Sequence, residues 1–338
     1  MNKDFKIVFV DRILPISDYE KEIIEGFGCS VEQCDAITPE QILSVAKDAD
    51  AIMTVGGKFT KEAIDGLEKC KVIGRYGVGV DNVDLEAATD KGIVVTYVPV
   101  YCQEEVAALA VTLTLACDRK ILIADKAVKN GNWAGTVKMV NGARSPRGKV
   151  FGLVGFGSIA RAVVPLIQPF GVRVIAYDPY INLDFCKELG VESVTFEELI
   201  ETADYISLHV PLLPTTVHMI GEKEFQKMKK TTIVVNTGRG ALIDQNALVC
   251  AVKAGEIAAA GLDVLEFEPP NPEDEIFKMD NIITTGHIGA ATTEALIRLR
   301  QNVAQSIVDV LSGRMPKAVA NPEVLKKVKL EQENTDGK

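Results

Sequence analysis

A chain of 338 residues has room for two domains, and 47% hydrophobic with 25% charged residues is the make-up of a soluble globular protein with ample core material. The formal net charge of −10 and a pI of about 5.0 argue against a nucleic-acid or anionic-membrane surface. Seven scattered cysteines with no C-x-x-C pair argue against a disulfide framework or a zinc site and fit reduced thiols in a cytoplasmic protein.

In chain order, MNKDFKIVFVDR carries acids on both sides of a short apolar run, so we expect no signal peptide, and no apolar run reaches transmembrane length. KIVFV reads as a strand, Tyr19 to Phe27 as a short helix and Ser30 to Cys34 as a weaker strand. Thr38 suits an N-cap with Gln41 three residues on. Ala51 to Val55 reads as a strand ending in Gly56-Gly57-Lys58, Lys61 to Lys69 as a helix, and Val72 to Arg75 as a strand running into YGVGVDN. Asp84 to Asp90 reads as helical and Ile93 to Val98 as a strand that Pro99 stops. From about Gln103 the apolar residues recur helically to Ile121, as one long crossover helix into a second domain. Residues 130–148 are polar and glycine-rich, hence loop-like.

Val150 to Asp178 reads as strand, glycine turn, helix and strand with a carboxylate at its end. Gly155, Gly157 and Ala160 follow the pattern G-x-G-x-x-G/A: a tight turn, bare backbone for a pyrophosphate, and a small residue for close helix–strand packing. The helix from Ser158 to Phe170 points its first amides, at Ser158 and Ile159, at that pyrophosphate. Asp178 ends the strand Arg173 to Tyr177 at the spacing where an acid accepts from the adenosine ribose. A tight turn in some other α/β unit would leave Asp178 as an ordinary residue before Pro179; strand, helix and acid together favour a dinucleotide. Asp178 repels a 2′-phosphate, and no Arg or Lys follows until Lys187, which favours NAD over NADP.

The alternation then continues: helices at 196–203, 222–228 and 242–253, and strands at 206–210, 232–236, 258–264 and 282–285. A long helix from Thr292 to Leu311 carries the chain back to the first domain, and a charged tail from Val324 is expected to fray. Strands alternating with helices imply parallel sheets covered on both faces, with ligands at the carboxyl ends of the strands.

At such ends stand Arg239, Asp263, Glu268 and His287. Arg239, between Gly238 and Gly240, could clamp a carboxylate through two parallel hydrogen bonds, or start a helix in solvent. Glu268 on one nitrogen of His287 would fix the ring and leave the other nitrogen to exchange a proton with a substrate oxygen; a satisfied structural histidine is the plainer alternative. Asp263 could accept from a nicotinamide carboxamide or cap its loop. His209, followed by Pro211, reads as lining the cofactor cleft, and His218 as local structure. No metal is suggested.

Three stretches, SLHVPLLPTTVHMIGEKEFQKMKKTTIVVNTGRGALID, AAAGLDVLEFEPP and TTGHIGAAT, together with GRYGVGVDNVDLEAATDKGI and GFGSIA, resemble the D-2-hydroxyacid dehydrogenase family over nearly the whole chain. The resemblance implies two doubly wound α/β domains: a Rossmann NAD-binding domain, 101–291, inserted into a flavodoxin-like substrate domain, 1–100 plus 292–338. By it, Arg239, Glu268 and His287 match the family's substrate-orienting arginine, carboxylate partner and acid/base histidine, and Asp263 its nicotinamide contact. Val210, Pro211, Thr216, Thr237 and Gly238 would line the NAD site beside His209, while the loops at Gly56-Gly57 and Val78-Gly79 match places where backbone amides hold the substrate carboxylate. The family is usually homodimeric, and the stretch around Trp133 is where an interface is expected.

Two departures bear on substrate. Ala108 stands where the family commonly has an acid. Phosphoglycerate dehydrogenases usually carry an arginine before the GRxGxGVDNVD motif, whereas this chain has MTVGGKF, with Lys58 and Arg75 as the nearby cations. An unphosphorylated substrate such as hydroxypyruvate or glyoxylate is therefore expected, with D-3-phosphoglycerate as the alternative; no appended regulatory domain is expected to fit in this length. Glu268 speaks against formate dehydrogenases, which carry glutamine there. A reading of another class, an NADH-sensing corepressor resembling C-terminal binding proteins, has no counterpart here for their long tails.

Overall fold

The structure, a computed structural model, describes residues 5–11 and 14–332. It begins with β1 (Ile7–Val10), α1 (Asp18–Gly26), β2 (Val31–Cys34), α2 (Pro39–Ala46), β3 (Ala51–Thr54), α3 (Lys61–Gly66), β4 (Val72–Arg75), α4 (Leu85–Lys91) and β5 (Val94–Thr96). The helices α5 (Gln103–Asp118), α6 (Ile121–Lys129) and α7 (Thr136–Met139) follow. Next come β6 (Val150–Val154), α8 (Ser158–Ile167), β7 (Arg173–Tyr177), α9 (Leu183–Leu189), β8 (Glu192–Ser193), α10 (Phe196–Thr202) and β9 (Tyr205–Leu208). The series ends with α11 (Glu222–Lys227), β10 (Ile233–Asn236), α12 (Gln245–Ala254), β11 (Ala259–Leu262), β12 (Ile282–Thr284) and α13 (Thr293–Leu311). They gather into two compact units, Met1–Tyr101 with Thr292–Lys338, and Cys102–Ala291.

The first unit holds a parallel five-stranded sheet in the order β2-β1-β3-β4-β5, the flavodoxin-like winding. The strands β1, β3, β4 and β5 are nearly unbroken buried runs because helices cover both faces, whereas the edge strand β2 is half-exposed; Val8, Val10, Ile52, Ile73 and Val95 meet in one core. Thr38 caps α2 and exchanges hydrogen bonds with Gln41, the expected capping box. The last helix, α13, returns to this unit and is tied to α1 by a buried ion pair, Arg300 Nη1 to Glu20 Oε1 at 2.7 Å.

The second unit holds seven parallel strands in the order β12-β11-β10-β9-β6-β7-β8. From β6 the chain winds outward to β7 and β8, then crosses to β9 and winds the other way. The crevice between β6 and β9 is thus the switch point where a Rossmann sheet takes its ligand. Two cores flank the sheet, one around Val154, Ile206 and Leu262 and one around Phe151, Ala160 and Val235.

Several elements differ from the sequence expectations. The crossover helix α5 ends at Asp118, close to the expected Ile121, and a second helix that was not expected, α6, starts after Lys120 takes a left-handed conformation (φ 52°). The segment 130–148 contains the short helix α7, and Gln168–Phe170 forms a 3-10 turn beyond α8. The helix α9 and the strand β8 were not expected between Asp178 and Phe196; both are short and mostly exposed, so they leave little apolar pattern. The tail is ordered to its last described residues: Pro322–Lys326 is a 3-10 turn and Glu331 bridges to Arg314, while 333–338 lie outside the described residues. Among the described residues, no helix is long and apolar enough to cross a membrane.

Candidate active site

At the switch point, Gly155 ends β6 with φ +90°, and a Cβ there would sit 2.8 Å from the carbonyl of His209 at the end of β9. Only glycine fits both the turn and that approach. The next glycine, Gly157, faces open space, since a Cβ there meets nothing within 4 Å. It also precedes α8, whose first turn has no side-chain cap, so the amides of Ser158 and Ile159 stand at an open, positive helix end. Asp178 is held at the same corner: its carboxylate accepts from the Phe156 amide at 2.9 Å and the Tyr180 amide at 2.8 Å. After β10, two strands along the sheet from β6, the Thr237 hydroxyl is buried without a hydrogen-bond partner. An open glycine, uncapped amides and an orphan hydroxyl on one sheet edge fit a dinucleotide.

His209 lies beside this edge, its Nε2 2.9 Å from the buried Ser207 hydroxyl, and burial pushes its ring down to about 4, so it is neutral at pH 7. Thr216 is spent on its own loop, accepting from the Leu213 amide and donating to the Pro211 carbonyl.

The carboxyl ends of β10, β11 and β12 bring three more residues together. His287 follows β12 in a left-handed conformation (φ 57°) that an imidazole residue keeps only when its surroundings hold it there. Asp263 is what holds it. Its buried carboxylate accepts from the Thr285 hydroxyl at 2.5 Å, the Ile288 amide at 2.9 Å and the Gly289 amide at 2.8 Å, and its carbonyl accepts from the His287 amide. Of the two readings of Asp263, the structure shows the loop cap; a nicotinamide contact would have to share these occupied oxygens.

His287 Nδ1 lies 2.8 Å from Glu268 Oε2, and Glu268 Oε1 accepts from the Leu265 amide at 3.1 Å. Burial raises the Glu268 carboxyl, but the hydrogen bond and charge of His287, the Leu265 amide and the charge of Arg239 outweigh it and hold it below the usual glutamate value. An ionised carboxylate only accepts, so Nδ1 carries the proton and Nε2 is the nitrogen left for exchange. His287 and Glu268 line one depression with Leu265, Pro269 and Thr285.

Arg239 sits after β10, its Nη1 donating to the Gly238 carbonyl and its own carbonyl accepting from Asn236. Gly240, the next residue, admits backbone. A Cβ there would lie 1.9 Å from the Leu265 carbonyl oxygen, so this glycine lets the Arg239 turn pack onto the loop that carries Glu268. Sequence reasoning missed Gly240 as a spacer, and also Glu266 and Gln245, which bond each other across this contact. No local pattern announces them.

In the first unit, Gly56 and Gly57 follow β3, and Val78 and Gly79 follow β4. The Gly56 amide donates to Asp11 Oδ2 at 2.9 Å and the Gly57 amide to the Thr54 hydroxyl at 2.9 Å, so both are already engaged. Lys58 is exposed, and Arg75 donates to the Tyr76 carbonyl.

Comparison with known proteins agrees with this geometry. The sequence model described as "D-isomer specific 2-hydroxyacid dehydrogenase, NAD binding domain" matches residues 111–289. A D-3-phosphoglycerate dehydrogenase of Methanocaldococcus jannaschii is 43% identical over 318 residues, 94% of this chain but 59% of that protein's length. A glyoxylate reductase of Thermococcus litoralis is 41% identical over 325 residues, covering 94% of this chain and 97% of that protein. The crystal structure of a glyoxylate reductase from Paecilomyes thermophila superposes with a TM-score of 0.84 at 28% identity, covering 94% of this chain and 99% of that one. A match over more than half the chain, on a sheet wound in the dinucleotide-binding order, places this protein in the NAD-dependent family of D-isomer specific 2-hydroxyacid dehydrogenases.

Proposed function

We propose that the chain interconverts a 2-keto acid and the D-2-hydroxy acid, with an unphosphorylated substrate such as hydroxypyruvate or glyoxylate. The observation that carries this reading is the 2.8 Å contact between Glu268 and His287, with Glu268 held ionised. NAD, when bound, supplies or accepts the hydride. Gly155, Gly157, the first amides of α8 and Asp178 hold it. Glu268 fixes the His287 tautomer, so Nε2 gives a proton to the keto oxygen and takes it back in reverse. Arg239 binds the substrate carboxylate and orients the carbonyl.

Support for an unphosphorylated substrate comes from MTVGGKF, which has no arginine, and from the name of the Thermococcus litoralis relative, matched over nearly its full length. A phosphorylated substrate is the second reading, favoured by the name of the Methanocaldococcus jannaschii relative and by Arg75 at the end of β4. The proposal includes a homodimer formed through α6 and α7, where Ile121, Leu122, Trp133 and Val137 are exposed together, and a reducing, cytoplasmic setting for seven free thiols.

The test is NADH oxidation against glyoxylate, pyruvate, hydroxypyruvate and phosphohydroxypyruvate, with His287→Ala alongside. Turnover of an unphosphorylated acid that falls roughly 100- to 10,000-fold in the variant, with NADH binding intact, is the expected result. Preference for the phosphorylated acid selects the second reading, and near-normal turnover by the variant refutes the acid/base assignment.

A further inference from the structure

Two residues before Glu268, a second glutamate–histidine pair grips the same loop. His218 Nε2 lies 2.7 Å from Glu266 Oε1, and Glu266 Oε2 accepts from the Gln245 amide at 3.2 Å. The Glu266 amide donates in return to the Gln245 side-chain oxygen at 3.2 Å. With 15% of its side chain exposed, Glu266 is shielded, and both of its oxygens are used. His218 comes from the loop after β9 and has a left-handed backbone (φ 50°), a conformation that needs a reason. Its amide donates to the Ala241 carbonyl at 2.8 Å, which docks it on the turn after Arg239.

We propose that His218 and Glu266 are positioning residues for the Glu268–His287 pair. Three segments meet at Glu266: the loop after β9 through His218, the first residue of α12 through Gln245, and the turn at Gly240, whose missing Cβ lets the Leu265 carbonyl in. Clamping Glu266 fixes the Leu265 amide next to it. That amide holds Glu268 Oε1, and Glu268 Oε2 holds His287 Nδ1. An exposed ion pair would do none of this, since it contributes little and restrains nothing beyond its own side chains. Here the carboxylate ties the loop after β9 and the start of α12 to the loop that carries Glu268, as supporting partners do when they orient a working imidazole. The inference rests on the roles proposed above for Glu268 and His287.

The chain has three histidines, so ring-nitrogen NMR can resolve each of them in the full-length protein. In the wild type, His287 should show the Nδ1–H tautomer. Glu266→Ala and His218→Ala should each shift His287 several-fold towards the Nε2–H tautomer and lower kcat by about 10- to 100-fold, with KM for NADH changed less than about twofold. The double variant should be no worse than the worse single one, because both remove the same clamp. Glu266→Gln should recover part of the loss, its amide oxygen taking the Gln245 amide as the carboxylate does.

An unchanged His287 tautomer with kcat within about twofold of wild type overturns the proposal, as does a double variant whose losses multiply. If the wild type reduces no 2-keto acid, the functional reading fails, and the tautomer comparison still decides the inference. If Glu266→Ala does not fold by circular dichroism, His218→Ala and Glu266→Gln decide it.

Discussion

Replacing Gly240 with alanine tests how the loops that carry Arg239 and Glu268 are spaced. The added Cβ would lie 1.9 Å from the Leu265 carbonyl oxygen, 2.0 Å from the carbonyl carbon and 2.5 Å from the Glu266 nitrogen. These are backbone atoms, so no rotamer change relieves the overlap, and the two segments must part by about 1.5 Å to reach ordinary contact. Overpacking of this kind costs about 1–3 kcal/mol of stability. A shift of about 1 Å in catalytic groups costs about 100-fold in rate, or about 2.7 kcal/mol of transition-state stabilisation. Gly240→Ala should therefore fold, melt a few degrees lower, and lose about two orders of magnitude in kcat while NADH still binds. The assay is NADH absorbance at saturating 2-keto acid, beside a thermal melt. A variant with kcat within about threefold of wild type and an unchanged melt would show that the loops do not depend on this contact.

Other substitutions separate binding, stability and charge. Gly157→Ala adds a Cβ with nothing within 4 Å, so stability should stay within about 0.5 kcal/mol while the NADH Kd, read by fluorescence titration, rises about tenfold or more because the methyl occupies the pyrophosphate approach. Glu20→Ala strands the buried Arg300 guanidinium and removes the acceptor of the Tyr76 hydroxyl, and should cost about 3–5 kcal/mol in urea unfolding; a loss below about 1 kcal/mol would count against the pair as a lock between α1 and α13. His209 has a folded-state value of about 4 against 6.5 for an ordinary histidine. The unfolded chain therefore takes up this proton first as pH falls, and stability is lost between those values. From pH 7 to pH 5 the wild type should lose about 2 kcal/mol more than His209→Gln in urea unfolding, and equal losses would mean the ring is not shielded.

Much of the architecture was legible because it is local. Buried parallel strands are short apolar runs, helices announce themselves by period and caps, and β4, β6 and β7 fall where the residues put them. The glycine turn was legible too, since its spacing is contiguous along the chain. Where the pattern is weak, the sequence fell short: α9 and β8 are too exposed to show a period, and α6, beyond the left-handed Lys120, was not expected.

The site divides along the same line. The sequence by itself determined which residues stand at strand ends, and so which could act: Arg239, Asp263, Glu268 and His287. Only the tertiary structure decided what each one touches. It commits Asp263 to the His287 loop, the Gly56 amide to Asp11, the Gly57 amide to Thr54, and Gly240 to the Leu265 carbonyl, and it joins Glu266 to a histidine 48 residues away. The physical reason is that periodicity and spacing report which face of an element is buried. Which donor meets which acceptor depends on how separate loops pack, and no pattern along one segment records that.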